Sequence, residues 1–232
     1  MIEVRALTKV YGEHRAVDTL SFDAPAGTVT GFLGPNGAGK TTTFRCLLGL
    51  AEPTSGEALI GRRTYRDLES PRRQVGAVLE TTGFHPGRSG RDHLRVIARA
   101  AGLDASRIDP LLDVAGLHAA ADRRVGGYSL GMRQRLGLAA AMLGDPAVLI
   151  LDEPVNGLDP EGVLWVRQLL RIWADEGRTV VVSSHLLAEV SQVVDRVVII
   201  RDGTLVAETD MADLGGESLE AMFLALTRGA TA

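Results

Sequence analysis

Gly34-Pro35-Asn36-Gly37-Ala38-Gly39-Lys40-Thr41 is the stretch on which the reading of this chain turns. It fits the pattern G-x-x-x-x-G-K-[ST] and stands in the context that gives the pattern physical meaning. Before it, Thr28 to Leu33 reads as a strand entered through the turn Pro25-Ala26-Gly27. After it, Thr41 to Leu50 has helical apolar spacing and is ended by Glu52-Pro53-Thr54-Ser55-Gly56. Glycines let successive backbone N–H groups turn inward as an anion nest, and a helix starting near Lys40 adds its positive dipole end. Lys40 supplies a point charge for β and γ phosphates, and the Thr41 hydroxyl is a hard oxygen ligand for Mg²⁺. The stretch predicts nucleotide binding.

The elements on either side extend this to a fold class. Ile2 to Thr8 and Val17 to Ala24 alternate imperfectly, as antiparallel strands do. From about Asp92 to Gly144 the spacing becomes helical, with Leu94, Ile97, Ala98 and Ala101, then Leu111, Leu112 and Ala115 after Asp109-Pro110. Strand–helix alternation resumes at Ala147 to Leu151, followed by a helix Val163 to Glu176, a strand Thr179 to Ser183, a helix near Leu186 to Val194 and a strand Arg196 to Arg201. Continuous apolar strands joined by helices predict a mainly parallel sheet covered on both faces. Asp202-Gly203 before Thr204 to Glu208 reads as a hairpin. The tail, Gly215 to Ala232, reads as a short amphipathic helix around Leu219, Met222, Phe223 and Leu226 that covers the core. An α/β core interrupted by a helical insertion is expected.

Leu149-Ile150-Leu151-Asp152-Glu153 puts two acids at the carboxyl end of a buried strand, where open α/β sheets bind ligands. Asp152 can hold Mg²⁺, and Glu153 can orient or deprotonate an attacking water. The competing reading is a pair of helix-capping acids, since Pro154 follows.

Composition limits the function classes. The 232 residues carry 25 Lys+Arg against 29 Asp+Glu, a net charge of −4, which argues against non-specific nucleic-acid binding. Lys9 and Lys40 are the only lysines. The arginine runs Arg62-Arg63, Arg72-Arg73 and Arg123-Arg124 read first as solvated surface. Cys46 is the sole cysteine, which excludes an internal disulfide and suits a reducing compartment. The start, Met1-Ile2-Glu3-Val4-Arg5, has no apolar signal core. No apolar run approaches the ~20 residues of a membrane span, so a membrane role calls for another subunit.

Tyr128-Ser129-Leu130-Gly131-Met132-Arg133-Gln134-Arg135 opens a further helix, with Ser129 as N-cap and its free N–H groups facing forward. It reads as a second anion site, or simply as a capped helix start. The segment resembles a variant of the Leu-Ser-Gly-Gly-Gln signature of the ATP-binding subunits of ABC transporters, with Tyr128 for Leu, Leu130 for the first Gly and Met132-Arg133 before Gln134. The resemblance covers nearly the whole chain. Tyr11 resembles the aromatic residue that stacks on adenine, and Asn156-Gly157-Leu158-Asp159-Pro160 resembles the D-loop. Ser184-His185 resembles the switch histidine that contacts the γ-phosphate; His14, His85, His93 and His118 read as surface residues. Glu80 stands at the Q-loop place, where the family usually has Gln. Glu80-Thr81-Thr82-Gly83-Phe84-His85-Pro86 is similar to the subgroup that includes bacitracin-type and related antibiotic-efflux ATPases.

The resemblance implies a P-loop NTPase (RecA-like) core with an N-terminal antiparallel β region and an inserted α-helical subdomain. It implies one domain, 1–232, with 1–85 and 144–232 as core and 86–143 as the helical signature subdomain. It also implies ATP contacts from Tyr11, Gly34, Pro35, Asn36, Gly37, Ala38, Gly39, Lys40, Thr41, Thr42 and Asp159, with Ser129 and Gly131 reaching ATP across a head-to-tail dimer. Glu153, His185 and Glu80 would be catalytic, and Thr41, Asp152 and Glu80 would meet Mg²⁺. An integral-membrane permease at the cytoplasmic face of the cell membrane would be the transport partner, with export the expected direction. The alternative, a non-transport ABC ATPase acting on DNA or ribosomes, calls for a long coiled coil, paired cassettes or a basic surface, and the sequence has none of these. A P-loop kinase or GTPase would lack the paired Ser129 and His185 features.

Overall fold

The computed structural model describes residues 1–79, 83–185, 191–214, 219 and 221–223. Two sheets organise it. Strands β1 (Ile2–Tyr11), β2 (His14–Ala24) and, after β3 (Val29–Leu33) and helix α1 (Lys40–Leu47), β4 (Ser55–Ile60) form an antiparallel sheet in the order β2-β1-β4. The second sheet has six strands. It takes β3 (Val29–Leu33), β5 (Val75–Val78), β6 (Val148–Asp152), β7 (Thr179–Ser184), β8 (Arg196–Arg201) and β9 (Thr204–Asp210) in the order β5-β6-β7-β3-β8-β9. All neighbours in it are parallel except β8 and β9, which close the hairpin expected at Asp202-Gly203.

The continuous apolar strands are explained by burial on both faces. Along each strand successive side chains alternate between two cores. Phe32, Ile150, Val181, Val198 and Ile200 face the antiparallel sheet and α1 (Lys40–Leu47), where Phe22, Phe32 and Phe44 stack with centroids 4.9 and 5.5 Å apart. Leu33, Leu149, Leu151, Val180, Val182, Val197 and Ile199 face the other way, onto α6 (Pro160–Asp175) through Val166, Leu170 and Trp173. Each large apolar side chain so buried contributes roughly 1.5–3 kcal/mol. Buried Leu219, with half-buried Met222 and Phe223, joins this second core as the tail was expected to; Leu226 lies outside the described residues.

Between the one-turn helix α2 (Pro71–Gln74) with β5 and the return at β6, the insertion folds as α3 (Gly90–Ala101), α4 (Ile108–Val114) and α5 (Leu130–Met142). They share a third core of Leu94, Leu112, Tyr128, Leu136 and Leu143. Helix α5 belongs to both bodies: Leu136 and Ala139 enter the helical core, whereas Leu138 and Met142 enter the second core of the sheet.

Some boundaries differ from expectation. Helix α1 stops at Leu47 instead of Leu50, because Leu50 and Ala51 both donate back to the Arg45 carbonyl in a closing turn around Gly49. Helix α6 starts three residues before Val163, since Asp159 caps it and Pro160 suits its first position. Of the helix expected near Leu186 to Val194, residues 186–190 lie outside the described set and 191–193 form a turn. The arginine runs are exposed as expected. His93 is not a surface residue. It is 9% exposed and packs on Phe84 with centroids 4.9 Å apart, because it sits on the inward side of α3 next to Leu94.

Candidate active site

The strand order brings β6, β7 and β3 side by side, so their carboxyl ends open into one crevice. Each strand delivers one part. β3 runs into the glycine-rich loop, β6 ends on Asp152 and Glu153, and β7 ends on Ser183, Ser184 and His185. In register, Asp152 lies beside Ser183, and Leu33 beside Ser184.

At the loop, Gly39 has φ +102°, and a Cβ there would stand 2.5 Å from the Ala16 carbonyl oxygen; only glycine fits. The chain then enters α1 with no side-chain cap and no acidic residue in the first turn. By contrast, α5 and α6 are capped by Ser129, which accepts from Met132 N–H at 3.2 Å, and by Asp159, which accepts from Gly162 N–H at 2.8 Å. An uncapped helix start leaves orphan N–H donors and its dipole free for an anion. Lys40 is held in place by donating to the carbonyls of Gly34 at 2.7 Å and Pro35 at 3.3 Å.

The two acids are held differently. Asp152 is buried and accepts from Thr41 Oγ1 at 2.7 Å and Ser183 Oγ at 2.6 Å. Glu153 Oε1 lies 3.6 Å from Lys40 Nζ, and Oε2 lies 2.9 Å from His185 Nδ1. Glu153 adopts φ +51°, a left-handed conformation rare for a side chain of this size. Its N–H donates to Ser183 Oγ at 2.9 Å, which holds the turn. The helix-capping alternative for this pair fails: residues 154–157 form a turn, and the next helix is capped by Asp159.

The crevice encloses about 570 Å³ and is lined by Tyr11, the loop from Asn36 to Thr42, Asp152, Glu153, Asn156 and His185, among others. Gly34 and Pro35 stand behind it as acceptors for Lys40. Tyr11 is 45% exposed at the rim, with Lys9 Nζ 4.7 Å from its ring centre. Ser129, Gly131 and Asp159 do not line the crevice. Gln134 Nε2 donates to the Pro154 carbonyl at 2.9 Å, so the signature helix is tied to the turn that follows Glu153. Glu80 lies outside the described residues.

Sequence reasoning gave no site role to Ser183 or His14, and named Asn156 only as the first residue of the D-loop resemblance. Ser183 had a usable signal, a polar residue at the end of an otherwise apolar strand. His14, read as surface, stands on the crevice wall because the β1–β2 hairpin folds Tyr11 and His14 to the same side.

Residues 17–156 match the family model described as ABC transporter. The chain is 43% identical over 211 residues to the bacitracin transport ATP-binding protein of Bacillus licheniformis, covering 90% of this chain and 69% of that one. It is 37% identical over 225 residues to a lantibiotic transport ATP-binding protein of Streptococcus pyogenes, covering 96% of each. A solved structure of an ATP binding subunit of an ABC transporter superposes with a TM-score of 0.89 at 30% identity, covering 98% of this chain and 99% of that one. A phosphate-ready loop, two acids and a histidine on adjacent strand ends, and a separately capped signature helix thus come together with direct sequence kinship: the chain belongs to the ABC transporter family, as one of its ATP-binding subunits.

Proposed function

We propose that two copies of this chain hydrolyse ATP at shared sites and so power export of a drug, peptide antibiotic or lipid-like substrate through a separate permease. The observation that carries this reading is a division of parts. Lys40, Asp152, Glu153 and His185 converge on one crevice, while the capped helix start at Ser129 and Gly131, a second anion-binding element, stands outside it. A second copy placed head to tail brings that helix start to the γ-phosphate.

Each residue then has a role in the reading. The uncapped start of α1 receives the phosphates, and Lys40 exchanges its carbonyl partners for β and γ oxygens. Tyr11 stacks on adenine. Glu153 accepts the proton of the attacking water, and His185 steadies its second oxygen and reaches the γ-phosphate. Asp159, engaged as the cap of α6, sets the position of the loop that meets the second copy. Glu80 contributes a carboxylate near the metal and the water.

Thr41 Oγ1 and Asp152 Oδ2, 2.7 Å apart at the crevice, are hard oxygen donors that suit Mg²⁺. Thr41 and Asp152 would be its protein ligands, leaving its other positions to phosphate oxygens and water. Mg²⁺ held there would neutralise phosphate charge.

Residues 1–85 and 144–232 form the nucleotide-binding core in this reading, and 86–143 the helical signature subdomain. A groove of about 880 Å³ between them, lined by Leu50, Tyr65, Leu79, Gly83, His93 and Ile97 among others, receives the permease. No helix among the described residues is long and apolar enough to cross a membrane; in this reading the permease holds the subunit at the cytoplasmic face. Export is supported by the relatives, which are named for bacitracin transport, lantibiotic transport and Nod factor export.

The test is specific ATPase activity against chain concentration, with mass measured in parallel. Activity per chain should fall as the dimer dissociates, and Ser129→Arg should abolish hydrolysis while sparing nucleotide binding. Full activity in a monomeric chain would defeat the shared-site reading.

A further inference from the structure

The helix start at Ser129 stands on the surface, rooted by one buried residue. Residues 126, 127, 129 and 130 are exposed, whereas Tyr128 between them is buried in the helical core with Leu94, Leu112 and Leu136. Its backbone is extended (φ −78°, ψ 143°), so the side chains of Tyr128 and Ser129 leave on opposite sides, one inward and one outward.

The phenol is fitted by its oxygen as well as by its ring. Oη donates to the Ala120 carbonyl at 2.6 Å. A Cβ at residue 90 would stand 2.4 Å from the same oxygen, so Gly90, the first residue of α3, makes room for it. Around this contact two segments are zipped together. Arg91 N–H donates to the Ala121 carbonyl at 2.9 Å, Val125 N–H to Arg88 at 2.8 Å and Gly126 N–H to Pro86 at 3.0 Å. The side chain of Tyr128 adds the last tie before Ser129. A leucine, as in the signature this segment resembles, would fill the space without a directional bond; a short O–H···O bond fixes both the depth and the tilt of the ring.

We propose that Tyr128 is a positioning residue for ATP hydrolysis, acting through its hydroxyl. Locked onto Ala120 and seated against Gly90, it sets the place of the Ser129 helix start that meets the γ-phosphate in the second copy's crevice. The proposal rests on the shared-site reading. A misplacement of about 1 Å in such an element costs up to about a hundredfold in rate. The crevice built on Lys40, which binds nucleotide within one chain, is separate from this contact.

Tyr128→Phe removes the hydroxyl alone. Assayed as the full chain, at concentrations where activity per chain has stopped rising, it should lose about ten- to a hundredfold in kcat, with ATP affinity of the single chain unchanged within about twofold. Ser89→Ala is the control for mere loosening of the same subdomain. The Ser89 hydroxyl caps α3 by accepting from Asp92 N–H at 3.1 Å, and its loss lowers the melting temperature by about 1–8 °C, yet kcat should stay within about twofold of wild type. Gly90→Ala crowds Oη and leaves Tyr128 in place; it should lower kcat in the wild-type background and have a smaller effect beside Tyr128→Phe. An unchanged kcat in Tyr128→Phe or in Gly90→Ala, an equal effect of Gly90→Ala in both backgrounds, or an equal loss in Ser89→Ala overturns the proposal. Ser129→Arg is assayed alongside. Normal hydrolysis in that variant defeats the shared-site reading, whereas its loss beside a normal Tyr128→Phe defeats the role of Tyr128 alone.

Discussion

Glu153→Gln separates the two things the Glu153 side chain does. The substitution keeps the shape, so the left-handed backbone at φ +51° and the N–H bond to Ser183 at 2.9 Å are unaffected. It removes the basic carboxylate, and loss of a positioned general base lowers turnover by about 10²–10⁴-fold. It also removes a charge 3.6 Å from Lys40, with the two side chains only 10% and 7% exposed. At an effective dielectric of about 20 that attraction is roughly 4–5 kcal/mol before desolvation is counted. A phosphate must compete with it for the same ammonium group, and must also approach a neighbouring carboxylate. Affinity for ATP should therefore hold or rise while hydrolysis falls, and the ATP-bound dimer should accumulate. Phosphate release, equilibrium dialysis with labelled ATP, and gel filtration with and without ATP measure the three quantities. Turnover above about a tenth of wild type would refute the role of Glu153 as base. Weaker ATP binding would refute the competition for Lys40.

Ser183→Ala leaves the buried Glu153 N–H without an acceptor, which costs about 1–3 kcal/mol and lowers the melting temperature by roughly 2–10 °C; calorimetry checks it. Gly157→Ala places a Cβ 2.2 Å from Leu130 Cδ2 at a residue with φ +73°, so it should destabilise by about 1–3 kcal/mol. Adding Leu130→Ala should restore the steric part of that loss, which a double-mutant cycle reads directly. Burial, followed by the nearby Arg88 charge, holds the His93 pKa below its ordinary value. The unfolded chain then binds more protons than the folded one below about pH 6.5, so stability falls as pH falls through that range. His93→Leu should flatten this slope relative to wild type in denaturant titrations at pH 5 to 7.5.

The parallel core was legible because two-faced burial writes itself as unbroken apolar runs, and the strands at 148–152, 179–184 and 196–201 carried that mark. The glycine-rich loop was legible for a similar reason, since its chemistry is local and needs no distant partner. Ser183 was legible only as a polar residue closing an apolar strand; its role comes from its place beside Asp152 across a parallel strand pair, and such register is set by three-dimensional pairing. His93 was misread because one histidine on a helix does not reveal which side the helix buries. That side is chosen by Phe84, nine residues earlier in the chain.

Capping gives the proposed division of the site a physical basis. Of the three helices that begin near functional motifs, α5 and α6 carry a side-chain cap, and α1 alone is left open. The open helix sits in the crevice with the lysine and the acids, where an anion can complete it. The capped start at Ser129 keeps its hydroxyl on Met132 N–H, so it holds its shape without a ligand and can be offered to another molecule's phosphate as a preformed surface. Gln134 on the same helix reaches the Pro154 carbonyl, one residue after Glu153. In the shared-site reading, this hydrogen bond would carry a shift of Glu153 in one crevice to the helix start that serves the other. Gln134→Ala should accordingly leave ATP affinity of the single chain intact while lowering the cooperativity of ATP hydrolysis. An unchanged Hill coefficient in that variant would show that the two crevices are not linked through this contact.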